Sequence, residues 1–191
     1  YASMRPAREV GGDFYDFYLL DDDHLAFVIA DVSGKGVPAA LFMMAGKTTI
    51  RNQAVMDAEP GRILTQSNEQ LLESNEKGLF ITVFFAILNL KTGEMEFSNA
   101  GHNAPYICRN DNTVEMLKMR PGFVLGGMEG IQYRTGKTVL QPGERILLYT
   151  DGVTEATNTE LALYGEDRLE SELEKVKKSE IKDIVSHISE S

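Results

Sequence analysis

Three places in this 191-residue sequence set an aspartate beside glycine, at strand ends or in loops: Gly11-Gly12-Asp13-Phe14-Tyr15-Asp16, Ala30-Asp31-Val32-Ser33-Gly34 and Tyr149-Thr150-Asp151-Gly152. An aspartate that follows an apolar strand sits at the rim of a core, where several strands can gather carboxylates around a hard cation such as Mg2+ or Mn2+. Two such ions about 3.5–4 Å apart share a water, lower its pKa, and stabilise both the attacking and the leaving oxygen of a phosphoryl displacement. Each motif alone is ordinary turn chemistry, since Asp and Gly are turn residues. Their repetition beside apolar strands is what points to a metal site.

The surrounding pattern supplies elements able to hold them. Apolar residues run almost unbroken from Leu25 to Ala30, pass into Asp31-Val32-Ser33-Gly34-Lys35-Gly36, and then give way to helical spacing. The order is strand, tight loop, helix. Val37, Ala40, Leu41, Met44 and Ala45 fall on one apolar stripe of that helix, and Pro38 suits its first turn, where no N–H is needed. A second helix is predicted over 61–75, after the Glu59-Pro60-Gly61 break. From Leu79 to Thr150 the texture is β: an apolar strand over 79–90 interrupted by Thr82, a turn at Lys91-Thr92-Gly93, the alternating Met95-Glu96-Phe97-Ser98, and short strands over 104–108, 113–117, 132–139 and 145–150. The charged tail predicts two helices broken near Ser179. Continuously apolar strands need cover on both faces, so two early and two late helices around packed sheets give one α+β domain over 1–191.

Composition narrows the classes. With 19 basic and 29 acidic residues, net charge −10 and pI near 4.8, a general electrostatic grip on nucleic acid or anionic lipid is not expected. The lone Cys108 forms no internal disulfide and no Cys-based zinc site, which fits a reducing compartment. The longest apolar run falls far short of the roughly 20 residues of a membrane-spanning helix. The sequence begins at Tyr1 with no signal segment, and we expect a cytoplasmic fragment of a larger protein.

Five ordered blocks carry a family resemblance: Val10-Gly-Gly-Asp-Phe-Tyr-Asp16, Asp31-Val-Ser-Gly-Lys-Gly-Val-Pro-Ala-Ala40, Phe80-Ile-Thr82, Asn99-Ala-Gly-His-Asn-Ala-Pro105 and Tyr149-Thr-Asp-Gly-Val-Thr-Glu-Ala156. The sequence resembles the SpoIIE/RsbU-type bacterial protein serine phosphatases, a branch of the PP2C-like metal-dependent phosphatases. The resemblance implies a four-layer α/β/β/α sandwich of two antiparallel sheets flanked by helices. It implies Asp13 and Asp31 as metal-bridging carboxylates, the carbonyl of Val32 as a backbone ligand and Asp151 as a further ligand, with two Mn2+ or Mg2+ ions. Asp16 and Gly152 are candidates for an outer layer around the metals, and Arg8 and Gly34 for phosphate binding. The implied reaction is in-line attack of a metal-activated water on phosphoserine or phosphothreonine, without a covalent phosphoenzyme. The implied substrate is the phosphoserine of an anti-anti-sigma (STAS) protein, with a sensor or receiver domain upstream; a homodimer is compatible with all of this.

The sequence departs from the family at its end, where the usual Asp-Asp pair on a final strand has no counterpart before Ser191. Either that strand lies beyond the sequence or this form binds metal poorly. A second reading is therefore a phosphatase-like binding or scaffold module without turnover. A third is a nucleotide cyclase, suggested by Gly11-Gly12-Asp13-Phe14, but Phe14 replaces the acidic fourth residue of that signature. Gly46-Lys47-Thr48 is no phosphate loop, because Leu41 stands where that motif needs glycine. His102, lone in a turn, is expected to be a structural hydrogen-bonder outside the catalytic set, as are His24 and His187. Asp21-Asp22-Asp23 lacks calcium-loop spacing and is expected to be a solvated turn.

Overall fold

A computed structural model describes residues 1–4 and 11–191. In chain order the elements are β1 (Phe14–Leu19), β2 (His24–Val32), α1 (Val37–Met56), α2 (Pro60–Leu72), β3 (Ile81–Asn89), β4 (Glu94–Ala100), β5 (Tyr106–Cys108), β6 (Val114–Met116), β7 (Gly136–Val139), β8 (Arg145–Leu147), α3 (Asp151–Thr154), α4 (Glu166–Val176) and α5 (Ile181–Glu190). The described residues form two compact units, one of residues 11–104 with 118–142, the other of residues 1–4 with 105–117 and 143–191. Each has its own antiparallel sheet and its own core, a mixed α+β fold.

The larger unit holds the five-stranded sheet β1-β2-β3-β4-β7. In β2, Ala26, Val28, Ala30 and Val32 are buried and the intervening residues are half-buried. The buried set joins Phe42 and Ile50 of α1 and Ile63, Leu64 and Leu71 of α2 in one cluster. Helix α1 comes so close to the sheet that a Cβ on Gly46 would stand 2.3 Å from Ile81 Cδ1. Gly46 therefore serves close packing, which accounts for the glycine of Gly46-Lys47-Thr48 without a phosphate.

The apolar stripe expected on α1 is not its packed face. Val37, Leu41 and Met44 are exposed, while Ala39, Phe42, Gly46, Thr49, Ile50 and Ala54 are buried. Both sets recur at helical spacing, and the sequence offers two competing stripes. The sheet selects the one with small residues at its closest approach, since a bulkier row cannot come as near.

The smaller unit holds the sheet β6-β5-β8 with α3, α4 and α5. Tyr106 of β5, Cys108, Tyr149, Leu169 and Leu173 of α4, and Ile184 of α5 form its core. The Tyr106 and Tyr149 rings stack 6.0 Å apart. Burial pushes the Cys108 thiol pKa up. The tail helices break between Val176 and Ile181, as the sequence predicts. All four short predicted strands shrink: 104–108 to Tyr106–Cys108, 113–117 to Val114–Met116, 132–139 to Gly136–Val139, and 145–150 to Arg145–Leu147. Among the described residues no helix is long and apolar enough to cross a membrane.

Candidate functional site

The β1–β2 ladder pairs Phe14 with Ala30, and continuing that register by one residue sets Asp13 opposite Asp31. On its other side Asp31 is paired with Thr82 of β3. Directly opposed residues project to the same face of a sheet with Cβ atoms about 4.5–5.5 Å apart. Asp13, Asp31 and Thr82 thus form one row across three strands, all half-buried, at one end of the sheet. That face is opposite the one buried against α1 and α2, because Ala30 and Val32 flank Asp31 and point the other way.

Close contacts fix this corner. A Cβ on Gly12 would lie 3.0 Å from both Val32 Cβ and the Val32 carbonyl oxygen. Only glycine lets the chain leading into Asp13 pass there without displacing the Val32 peptide. The Ser33 amide donates to the Phe80 carbonyl at 2.9 Å, and the Phe80 amide donates to Ser33 Oγ at 2.9 Å, so the loop after Asp31 is tied to the start of β3. Gly34 follows with φ +87°, a left-handed conformation open to glycine at little cost, and is exposed.

Behind Thr82 stands His102, 6% exposed, with its Nδ1 2.8 Å from Thr82 Oγ1. Its backbone is clamped by one side chain: Asn99 Nδ2 donates to the His102 carbonyl at 2.9 Å, and the His102 amide donates to Asn99 Oδ1 at 2.8 Å. Neither Thr82 nor His102 was expected in the site. The signal available was Thr82 itself, a hydroxyl interrupting an otherwise apolar strand.

Other expected residues lie elsewhere. Asp16 is on the helix-facing side of β1, where its Oδ2 lies 3.6 Å from Lys47 Nζ and 3.4 Å from Arg51 Nη1. It ties the sheet edge to α1 and does not share the face of Asp13 and Asp31. The Arg51 guanidinium also stacks 4.5 Å over the Tyr18 ring. Burial, reinforced by Asp16, raises the Tyr18 pKa to about 12. Arg8 falls outside the described residues. Asp21 accepts from the amides of Asp23 and His24, a closed turn, as its sequence suggests. In the smaller unit, Asp151 begins the short helix α3, a turn that the sequence reading places in a loop, and its carbonyl accepts the Glu155 amide at 2.7 Å. Gly152 follows it, exposed.

The donor chemistry of Asp13, Asp31 and the Val32 carbonyl suits a hard cation. Mg2+ is commonly held by one or two carboxylates with water completing its shell. Among the described residues there is no group of three or more His, Cys, Asp or Glu side chains that could hold a metal ion. Two carboxylates fit such a water-rich site and do not make a closed protein cage.

Residues 21–191 match the family model of Stage II sporulation protein E (SpoIIE). The chain is 33% identical over 195 residues to Protein IcfG of Synechocystis, covering 88% of this chain and 31% of that protein. To the phosphoserine phosphatase RsbU of Bacillus subtilis it is 32% identical over 187 residues, covering 97% of this chain and 55% of RsbU. The chain therefore spans about a third to about half the length of these relatives. Among solved structures, the SiaA-PP2C domain of Pseudomonas aeruginosa superposes with a TM-score of 0.81 at 24% identity, over 97% of this chain and 76% of that one. RsbX in complex with magnesium gives 0.69 at 18% identity, over 96% and 81%. At these identities the structural likeness speaks for the fold, which is that of PP2C domains. With the family model matching nearly all of the described chain, the protein belongs to the SpoIIE family of PP2C-like proteins.

Proposed function

We propose that this chain is the catalytic domain, over residues 1–191, of a metal-dependent protein serine/threonine phosphatase, and that it removes phosphate from a phosphoserine on a regulatory protein partner. The observation that carries the reading is the Phe14–Ala30 pair at the open end of the β1–β2 ladder, whose register, continued by one residue, brings Asp13 to Asp31, in a fold whose relatives include a phosphoserine phosphatase. The proposed ions are two Mn2+ or Mg2+; magnesium accompanies one of the structural neighbours. When bound, they supply an activated water and offset the charge of the phosphoryl group.

The chain's own residues do the positioning. Asp31 presents its carboxylate from β2 and Asp13 from the residue just before β1, and the Val32 carbonyl is fixed against Gly12. Ser33 holds the following loop to Phe80, and Gly34 turns it so that backbone can approach an anion closely. Asp151 is proposed as a further carboxylate ligand on the strength of its Thr150-Asp151-Gly152 motif. The phosphoryl group, by family resemblance, passes to water without a covalent phosphoenzyme. By family resemblance the partner is a phosphorylated STAS-type protein in the cytoplasm, and a sensor or receiver domain belongs to the longer protein.

A second reading, a phosphatase-like binding module without turnover, is favoured by one observation: among the described residues there is no group of three metal-capable side chains. Mn2+-dependent hydrolysis of p-nitrophenyl phosphate and of a phosphoserine STAS protein separates the two. Turnover that is lost in Asp31→Asn and in Asp151→Asn supports the phosphatase. Folded protein that binds the phosphorylated partner with no turnover supports the binding module.

A further inference from the structure

We propose that Thr82 and His102 act as a positioning pair for the Asp31 carboxylate and thereby set the metal affinity of the site. The proposal rests on the metal-site reading above and adds to it two residues on other elements. Asp31 and Thr82 are directly opposed in the β2–β3 register and project to one face. Thr82 Oγ1 is 2.8 Å from His102 Nδ1. The imidazole is buried, and Asn99 grips its backbone on both sides, so the ring is a fixed support and not a surface side chain.

A hydroxyl has one proton to give and lone pairs that accept. With the imidazole proton on Nδ1, His102 donates to Thr82 Oγ1, and the Thr82 O–H is left to donate to the carboxylate opposite. The sequence imidazole, hydroxyl, carboxylate then runs in one direction and orients Asp31 before an ion arrives. Hydrogen-bond partners of this kind orient metal-ligating carboxylates, and their loss typically lowers metal affinity about 10–100-fold. The arrangement also gives Thr82 a reason to interrupt an apolar strand, and His102 a reason to be buried at the end of β4. His102 is a positioning residue here, acting through Thr82; no proton transfer to substrate is assigned to it.

The test is direct Mn2+ binding to the full chain, followed by electron paramagnetic resonance of free Mn2+, beside the Mn2+ concentration that half-saturates hydrolysis of p-nitrophenyl phosphate. Thr82→Val keeps the shape and removes the hydroxyl; Thr82→Ser restores it. Thr82→Val is expected to weaken Mn2+ binding about 10-fold or more, and Thr82→Ser to stay within about threefold of the parent. His102→Asn, whose amide can stand in for Nδ1–H, is expected to bind better than His102→Phe. Since the two residues act in series, His102→Phe should add little to the defect of Thr82→Val. Circular dichroism and thermal unfolding identify variants that have lost the fold, and for those the Ser and Asn variants carry the decision. Parent-like Mn2+ affinity in folded Thr82→Val overturns the proposal, as does a full additive loss in the double variant. If the parent binds Mn2+ with the expected dependence on Thr82 yet hydrolyses nothing, the positioning pair stands and the phosphatase reading falls. If the parent binds no Mn2+, both fall.

Discussion

Gly12 lies so close to Val32 that a methyl group on Gly12 would meet the Val32 carbonyl oxygen and the Val32 side chain, each at 3.0 Å. The chain entering Asp13 is thereby fixed against the peptide that follows Asp31. Gly12→Ala must push one of the two aside. We expect a destabilisation of about 1–3 kcal/mol, as for other overpacked sites, together with weaker Mn2+ binding. Unfolding in urea and Mn2+ titration check this. Unchanged Mn2+ affinity would mean that the Gly12–Val32 contact serves packing alone.

Helix α1 offers a sharp comparison between adjacent residues. Phe42 is 9% exposed and Leu41 is 67% exposed. Phe42→Ala should cost about 3–5 kcal/mol, and Leu41→Ala no more than about 0.5 kcal/mol. Urea midpoints in the reverse order would show that the stripe of Val37, Leu41 and Met44 is the packed one.

The same helix predicts a coupling. Gly46→Ala drives its new methyl into Ile81 Cδ1, and Ile81→Val removes that atom. Gly46→Ala should be destabilising alone and nearly tolerated with Ile81→Val, a non-additive pair. Additive losses in thermal unfolding would point to backbone, and not Ile81, as the obstacle.

Acid should weaken the fold through carboxylates far from the site. The Asp23 amide and then the His24 side chain hold Asp21 below its ordinary value of 3.8; the Glu59 amide and Arg62 do the same for Asp57, and the Thr113 hydroxyl and amide for Asp111. A carboxyl whose folded pKa is lowered contributes stability above its unfolded value and loses it as pH falls through the folded one. Stability should therefore drop as pH falls below about 4, and Asp57→Asn with Asp111→Asn should flatten that drop. An unchanged slope in the double variant would place the acid sensitivity elsewhere.

Much of this architecture was legible because apolar runs and turn residues mark strands and their ends. The Leu25–Ala30 run, the Lys91-Thr92-Gly93 turn and the break near Ser179 all appear as structure. Asp13 and Asp31 were legible as acids beside glycine; their being directly opposed was not, since register belongs to pairing between strands. Two kinds of information were hidden. The packed face of α1 depended on the close approach at Gly46, which a count of apolar residues reads as weakness. Asp16, expected in an outer layer around the metals, shares a motif with Asp13, but a separation of three residues along a strand puts the two on opposite faces. Its carboxylate meets Lys47 and Arg51, contacts between residues 31 and 35 positions apart that no local pattern announces.

The most direct test of the proposed activity is release of inorganic phosphate from a phosphoserine-bearing STAS protein with Mn2+ present, by the chain and by Asp31→Asn. Mn2+-dependent release is expected, abolished by chelation and reduced in Asp31→Asn by at least about 100-fold, more than about 2.7 kcal/mol of transition-state stabilisation. Undiminished release by a folded Asp31→Asn protein, or release that survives chelation, would contradict the proposal.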